Sequence, residues 1–306
     1  MTRLTEEVPT ALDGQRIDRV VAMLTGISRT EATGLIAAGG VLVDGVAATK
    51  GAERLRVGQA VAIEVPEPVA AAPPMAEDGI EAPVVFVDEH VVVVDKPADL
   101  VVHPGAGHDH GTLVSALLAR YPEMAGVGDP QRPGIVHRLD RGTSGLLMAA
   151  RTARAHESLV RQLSQRSVDR RYRALVWGHP DAPRGLIEAP IGRSPKHPTR
   201  MAVTSNGKEA RTRYEVEQTF AEPTRSALVT CRLETGRTHQ IRVHLSAIGH
   251  AVVGDDRYGG VRQTLPSPRP FLHAEALGFD HPATGERLMF TSELPADLVA
   301  VLARVS

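Results

Sequence analysis

Apolar positions early in the chain recur at helical spacing and then switch to alternation. Ile17, Val20, Val21 and Leu24 fall on one face of a first helix, and Ala32, Leu35 and Ile36 on one face of a second. Ser28, just ahead of the second set, supplies the side-chain oxygen an N-cap needs. The stretch VLVDGVAA puts Asp44 and Gly45 between two short apolar runs, which predicts a hairpin turn, and QAVAIEV alternates like a half-buried strand. From Glu67 to Pro83 the stretch EPVAAAPPMAEDGIEAP has no periodic apolar face and reads as a linker. The expected organisation is therefore a small domain over residues 14–66, a linker over 67–83 and a larger domain over 84–306.

The larger block alternates strands with helices. PVVFVDEHVVVVDKP predicts two strands around Asp88 to His90, and Thr112 caps a helix that carries Leu113, Ala116 and Leu117. In TARAHESLVRQLSQRS a helix starts at Thr152, with Ala155, Leu159 and Leu163 in one stripe and Arg161 and Arg166 elsewhere on its surface. DRRYRALVWG alternates, turning Tyr172, Ala174 and Val176 one way. Residues from Ile187 to Leu233 predict further hairpins, broken by the Pro-containing basic loop GRSPKHPTRMAV. THQIRVHLSAIG predicts a helix with Thr238 as N-cap, a core stripe of Ile241, Leu245 and Ile248, and Gly249 closing it. Arg242 leaves that stripe, and His239, three positions earlier, shares its side.

Composition narrows the class. The 306 residues are 42% hydrophobic and 23% charged, with no apolar run near the ~18 residues of a membrane span, so a globular protein without a membrane partner is expected. The opening MTRLTEEVPT holds no apolar signal segment, and a single cysteine, Cys231, cannot form an intramolecular disulfide. A reducing, cytoplasmic setting fits both, with Cys231 as a small strand residue. The formal net charge of −1 conceals a separation of sign. Residues 1–90 hold 7 Lys+Arg against 14 Asp+Glu, or −7, whereas residues 131–173 hold 10 against 3, or +7. One face can therefore carry a positive field toward a polyanion while the whole stays near neutral. Arg far outnumbers Lys throughout, so coding bias is an alternative source of that patch.

Within the basic segment, PGIVHRLDRGTSGLLMAAR sets one carboxylate, Asp140, between Arg138 and Arg141 and then turns apolar at GLLMAA, a buried strand. Gly142 and Gly145 allow tight backbone there. A loop held by a rigid sheet is a common seat for catalytic groups, and neighbouring guanidinium groups favour the charged form of a carboxylate. A surface salt bridge is the plain alternative. His239 and His244 are not at the spacing of a zinc-binding helix, so no metal is expected. HRLD differs from the kinase HRD by Leu139, and the chain lacks a glycine-rich phosphate loop.

Residues 14–63 resemble the S4 RNA-binding module in the helix pair, in ISRTEATGLI and in the VLVDG turn. That resemblance implies phosphate contacts from Arg29, Lys50, Arg54 and Arg56. The segment holds 6 basic against 4 acidic residues, and Thr and Ala stand on its second helix where members of that family often carry Lys or Arg. Further on, HRLDRGTSGLL, RRYRALVWG and LETGRTHQIRVHLSAIGHAVVGD, with the lead-in VVVVDKPADLVVHPG and the segment GKEARTRYEV, resemble the RluA-type pseudouridine synthases over residues 84 to about 300. An S4 module ahead of that domain is the arrangement of the RluD-like members, which modify large-subunit ribosomal RNA. Asp99 departs from the family, which usually has Gly there.

The resemblance implies an α+β fold on a mixed, mainly antiparallel sheet, with a small S4-like α/β domain, and a cofactor-free isomerisation of RNA uridine. It implies Asp140 as the essential carboxylate, attacking the nucleotide or acting as a base at the ribose. Tyr172 is implied to stack on the uracil, Arg242 to pair with the aspartate, and Arg138 to fill the gap left by the flipped nucleotide. Arg141, Arg170, Arg171, Arg193, Lys196 and Arg200 are the expected RNA-backbone contacts. With few aromatics, recognition is expected to use RNA shape and phosphates. One catalytic acid suffices for isomerisation, whereas a glycosidase normally needs two. A non-catalytic RNA-binding or ribosome-assembly protein on the same scaffold, and a nucleoside hydrolase, are the competing readings. The sequence gives no oligomeric state, and a monomer is the simplest expectation.

Overall fold

The capping box at Ser28 shows how local sequence sets the first unit. The Ser28 hydroxyl accepts from the Glu31 N–H and the Ser28 N–H donates to the Glu31 carboxylate, satisfying two otherwise open donors at a helix start. Such a cap contributes about 1 kcal/mol. It opens α2 (Arg29–Ala37), which follows α1 (Ile17–Thr25). In the computed structural model, residues 2–65, 73–105, 110–197 and 199–306 are described, and the chain divides into two units, Met1–Ala71 and Ala72–Ser306. In the first, β1 (Thr2–Glu7), β2 (Val41–Val43), β3 (Val46–Ala47) and β4 (Ala60–Val65) form an antiparallel sheet of order β1-β4-β2-β3. Asp44 and Gly45 both take positive φ, 51° and 81°, as a two-residue hairpin turn requires.

Ile17, Val20, Val21, Ala32 and Ile36 pack against Val41, Val61 and Ile63. Two features differ from the pattern reading. β1 extends the sheet outside the expected span, and within β4 Val61 and Ile63 are fully buried between exposed Ala60 and Glu64, with Ala62, on the other face, still only 9% exposed.

The second unit contains β5 (Val84–Val87), β6 (Val91–Lys96), α3 (Leu113–Arg120), β7 (Ser144–Ala150), α4 (Ala153–Ser164) and β8 (Asp169–Trp177). Then come β9 (Arg184–Glu188), the hairpin of β10 (Ile191–Arg193) and β11 (Met201–Val203), β12 (Arg211–Phe220) and β13 (Ser226–Leu233). The chain ends with α5 (Gln240–Ala247), β14 (Leu272–Asp280), β15 (Arg287–Thr291) and α6 (Ala296–Leu302). The main sheet runs β5-β6-β7-β14-β8-β13-β12-β9, with β15 also on β14. Only the β7–β14 pairing is parallel among the described strand pairs, so the fold is α+β on a mixed, mainly antiparallel sheet.

That parallel seam explains Gly145. Its φ is 111°, and a Cβ there would lie 2.3 Å from the Ala274 carbonyl oxygen, so only glycine lets the strands approach. β6 and β7 are buried along nearly their whole length, which gives the unbroken apolar runs VVVV and GLLMAA. Of the stretch expected as linker, residues 66–72 lie outside the described residues. Further along it, Arg120 at the end of α3 donates to the Ile80 and Ala82 carbonyls, and Ala82 is buried in the core of the second unit. Among the described residues no helix is long and apolar enough to cross a membrane.

Candidate active site

The loop between α3 and β7 presents its side chains alternately inward and outward. His137 and Leu139 anchor it, with Leu139 only 4% exposed in the core, while Arg138 points to solvent and Asp140 faces a cleft. His137 Nε2 accepts from the Met148 N–H, tying the loop to β7. Burial, reinforced by the charge of Arg170, lowers the His137 pKa to about 3, so the ring is neutral. The Thr143 N–H donates to the Asp140 carbonyl, closing a turn directly after the acid. Lys96, fully buried, donates to the Pro97, Leu100 and Arg141 carbonyls, and Arg269 donates to the Gly142 carbonyl while gripping Asp297 of α6. The Asp99 N–H also donates to the Arg141 carbonyl, and Asp99 has φ 67°, a left-handed conformation that explains the family's glycine there.

Arg242 comes from α5 and binds two carboxylates at once. Its Nε and Nη2 donate to Asp255 at 2.7 and 2.9 Å, and its Nη1 donates to Asp140 Oδ2 at 3.2 Å. Asp255 is fully buried and also accepts from the Arg257 and Tyr258 N–H groups. Burial by itself lowers the Arg242 pKa, but the hydrogen bonds to Asp255 and the charges of Asp140 and Asp255 outweigh it and raise it. The guanidinium is therefore a fixed cation. Oδ1 of Asp140 takes no hydrogen bond among the described residues and faces His239 Nε2 at 4.0 Å.

The start of α5 corrects two expectations. The N-cap position belongs to His239, in a left-handed conformation with φ 57°, rather than to Thr238. Instead of a hydroxyl cap, the Gln240 side-chain oxygen Oε1 accepts from the Arg237 N–H and the Thr235 hydroxyl and so braces the preceding turn. Ile248, expected in the core stripe, is the C-cap residue and is 38% exposed. His239 and His244 do not converge, since His244 bonds Thr212 and the Ala189 carbonyl.

Tyr172 on β8 reaches the same pocket. Asp140, Tyr172, Arg138, His239 and Arg242 line a cavity of about 40 Å³, flanked by clefts of about 760 and 740 Å³ that both include Arg138 and Asp140. Burial raises the Tyr172 pKa to about 12; nearby Arg170 opposes the shift and Asp140 adds to it. The first cleft is walled by Arg132, Arg166, Arg170 and Arg237, the second by Arg141, Arg257 and Arg269.

Not every expected RNA contact lies here. Arg170 does, though it is buried and donates to the Leu233 carbonyl. Arg171, next along β8, points to the opposite face of the sheet and pairs with Glu275 at 2.8 Å, because strand side chains alternate. Arg141 forms a 3.6 Å ion pair with Asp99, and Lys196 and Arg200 are exposed near the β10–β11 hairpin. In the first unit Arg29 is paired with buried Asp18, which also binds Arg16; Arg54 donates to the Gly14 carbonyl, and Lys50 and Arg56 are exposed. Asp255, Tyr258 and Lys96 were not singled out as site residues. Asp255 stands in the quoted GHAVVGD, but nothing local marks it as the partner of an arginine thirteen residues earlier.

Comparison with known proteins places the chain in a family. Residues 90–247 match the model of RNA pseudouridylate synthases, and residues 15–61 match the S4 domain. The ribosomal large subunit pseudouridine synthase D of Nitrosomonas europaea is 45% identical over 96% of this chain and 86% of its own. Its Pseudomonas aeruginosa counterpart is 44% identical over 99% and 95%. The solved structure of human RNA pseudouridylate synthase domain containing 1 aligns with a TM-score of 0.58 and 31% identity, covering 75% of this chain and 91% of that one. Matches of this length and identity establish that the chain belongs to the RNA pseudouridylate synthase family, isomerases that convert uridine to pseudouridine in RNA, and that it carries an S4 domain.

Proposed function

We propose that this isomerase acts on specific uridines of large-subunit ribosomal RNA in the cytoplasm, with Asp140 as its essential carboxylate and without a cofactor. The observation that carries the reading is Asp140 itself: one oxygen is held by Arg242, the other is open to a pocket shared with Tyr172, and arginine-lined clefts lie on either side. The names of the N. europaea and P. aeruginosa relatives support ribosomal RNA as the substrate.

The reaction breaks the N1–ribose bond, turns the base and rejoins it through C5, which gives up its proton while the freed N1 takes one up, so that no atom is gained or lost overall. Asp140 serves at the sugar, where its open oxygen attacks the anomeric carbon or removes a ribose proton. Arg242 keeps the carboxylate aimed and compensates its charge. Tyr172 offers a ring to the loose uracil; with its pKa pushed to about 12, its hydroxyl is protonated at neutral pH and acts as a hydrogen-bonding group. The cavity of about 40 Å³ shares Arg138 and Asp140 with both larger clefts, so it widens when Arg138 swings aside. Arg138 is the lining residue free to do so, since its guanidinium makes no hydrogen bond or ion pair among the described residues. It is suited to occupy the space the flipped uridine leaves, offsetting an unstacking cost of a few kcal/mol. Arg141, Arg170, Lys196 and Arg200 are the candidate phosphate contacts of this unit, and Arg29 and Lys50 those of the S4 unit.

Mapping pseudouridine across cellular RNA in cells with the wild-type chain, without it, and with Asp140→Asn tests this. The expected outcome is loss of the same large-subunit sites in the last two, with purified Asp140→Asn retaining RNA binding. Sites that persist with Asp140→Asn would remove Asp140 from the chemistry, and release of free uracil would mean hydrolysis instead.

A further inference from the structure

His239 sets its Nε2 4.0 Å from the open oxygen of Asp140. Tyr258 holds its other ring nitrogen. The Met201 N–H donates to the Tyr258 hydroxyl oxygen, and that oxygen lies 2.7 Å from His239 Nδ1. Of the two tautomers open to a neutral imidazole here, the one in which the phenol donates to Nδ1 puts the ring proton on Nε2, and the negative charge of Asp140 4.0 Å from Nε2 favours it. Burial lowers the imidazole pKa from its ordinary value, with Asp140 and Asp255 opposing the shift and Arg242 and Arg257 adding to it, so the neutral ring is favoured. Tyr258 also stacks edgewise on the imidazole and lies under the Arg242 guanidinium, so the ring, the phenol and the cation hold one another. His239 itself sits in left-handed backbone, a conformation that costs a non-glycine residue about 1 kcal/mol.

The Nε2–H faces Asp140 Oδ1 across 4.0 Å, too far for a hydrogen bond. A single oxygen about 2.8 Å from each atom spans that gap. To satisfy both sides it must accept from the imidazole and donate to the carboxylate. A uracil carbonyl cannot donate and would be repelled by Oδ1, whereas a hydroxyl does both; a water can bridge the same gap in the free enzyme and gives way to a substrate hydroxyl. Asp140 works at the ribose, so the hydroxyl within its reach is the one on C2′. We propose that His239 is a further catalytic residue of this enzyme, a specificity determinant that binds the 2′-hydroxyl of the target uridine between its Nε2–H and Asp140. That contact distinguishes a ribonucleotide from a deoxyribonucleotide and fixes the sugar against the carboxylate. The inference rests on the function proposed above.

The test is a cycle between a side chain and a substrate atom, measured by single-turnover pseudouridine formation. The substrate is a large-subunit rRNA fragment spanning a mapped target, carrying either uridine or 2′-deoxyuridine at that position. For the uridine fragment, His239→Ala is expected to slow the reaction about ten- to a hundredfold, the range for one hydrogen bond in a closed site. The decisive expectation is that removing the 2′-hydroxyl slows the wild type at least about tenfold more than it slows His239→Ala. His239→Gln, which keeps an N–H donor, should restore most of the discrimination. Tyr258→Phe keeps the ring but frees the tautomer, and should lose part of it; this variant decides the matter if His239→Ala does not fold. Equal slowing of both substrates by His239→Ala, or full discrimination in Tyr258→Phe, would overturn the proposal, because a residue that merely props up the loop slows both alike. Absence of pseudouridine with the wild-type chain would instead overturn the underlying function.

Discussion

Replacing Arg242 by Lys keeps the charge and removes the planar fork. Arg242 makes three hydrogen bonds, two to buried Asp255 and one to Asp140, from three different nitrogens. A lysine ammonium is one point on a flexible stem and cannot reproduce the parallel pair to Asp255 while reaching Asp140. Hydrogen bonds to charged partners contribute roughly 1.5–3 kcal/mol each, so losing two of three costs about 3 kcal/mol or more. In a unit of this size each kcal/mol lowers the thermal midpoint by roughly 2–4 °C, giving a drop of about 6–12 °C. Activity should fall further than stability implies. Asp140 would be aimed only by its own loop, and a displacement of about 1 Å from the reactive geometry costs on the order of a hundredfold. Thermal unfolding of the full chain and single-turnover pseudouridine formation at a temperature where the variant is folded measure the two effects separately. A variant within about 1 °C of the wild-type midpoint and within twofold of its rate would refute the claim that the bridge between Asp255 and Asp140 holds the site together.

Two further expectations concern the scaffold. Gly145→Ala places a methyl group 2.3 Å from the Ala274 carbonyl oxygen at a backbone φ of 111°, and should destabilise the second unit by about 3 kcal/mol or more, read as loss of soluble folded chain or a midpoint drop; a neutral outcome would mean that the parallel seam can spread. His137 ties stability to acid: in the folded chain it stays neutral down to about pH 3, while the unfolded chain takes up a proton near 6.5. The unfolded state therefore binds the extra proton between those values, and stability should fall as pH drops from 6.5 toward 3. Midpoints measured across that window should decline less steeply for His137→Asn than for the wild type, and identical slopes would clear His137 of the effect.

Local chemistry was legible wherever a few neighbouring residues determine the outcome. Ser28 with Glu31 marks a helix start, Thr152 caps α4 through the Ala155 N–H, and Asp44 with Gly45 turns a hairpin, all within four residues of chain. The motif around Asp140 was equally plain, and so was its strand of exit. Reading failed where a residue's surroundings come from elsewhere. The N-cap of α5 fell on His239 because Gln240 binds Thr235 and Arg237, and Tyr258 then holds the histidine ring. Arg171 left the basic cleft because its neighbour Tyr172 takes the inward face of β8, a consequence of alternation that charge counting ignores.

The sequence by itself determined the family and the order of most elements, because motif identity and periodicity are carried by adjacent residues, and the family resemblance implied that an acid, an arginine and a tyrosine belong together. Only the tertiary structure decided how those parts are held: Asp255 behind Arg242, Lys96 and Arg269 beneath the loop, and His239 facing the free oxygen of Asp140. Such partners lie from thirteen to more than a hundred residues apart. No local pattern encodes a hydrogen bond across that separation, since it exists only once sheet pairing has brought the strands and α5 together.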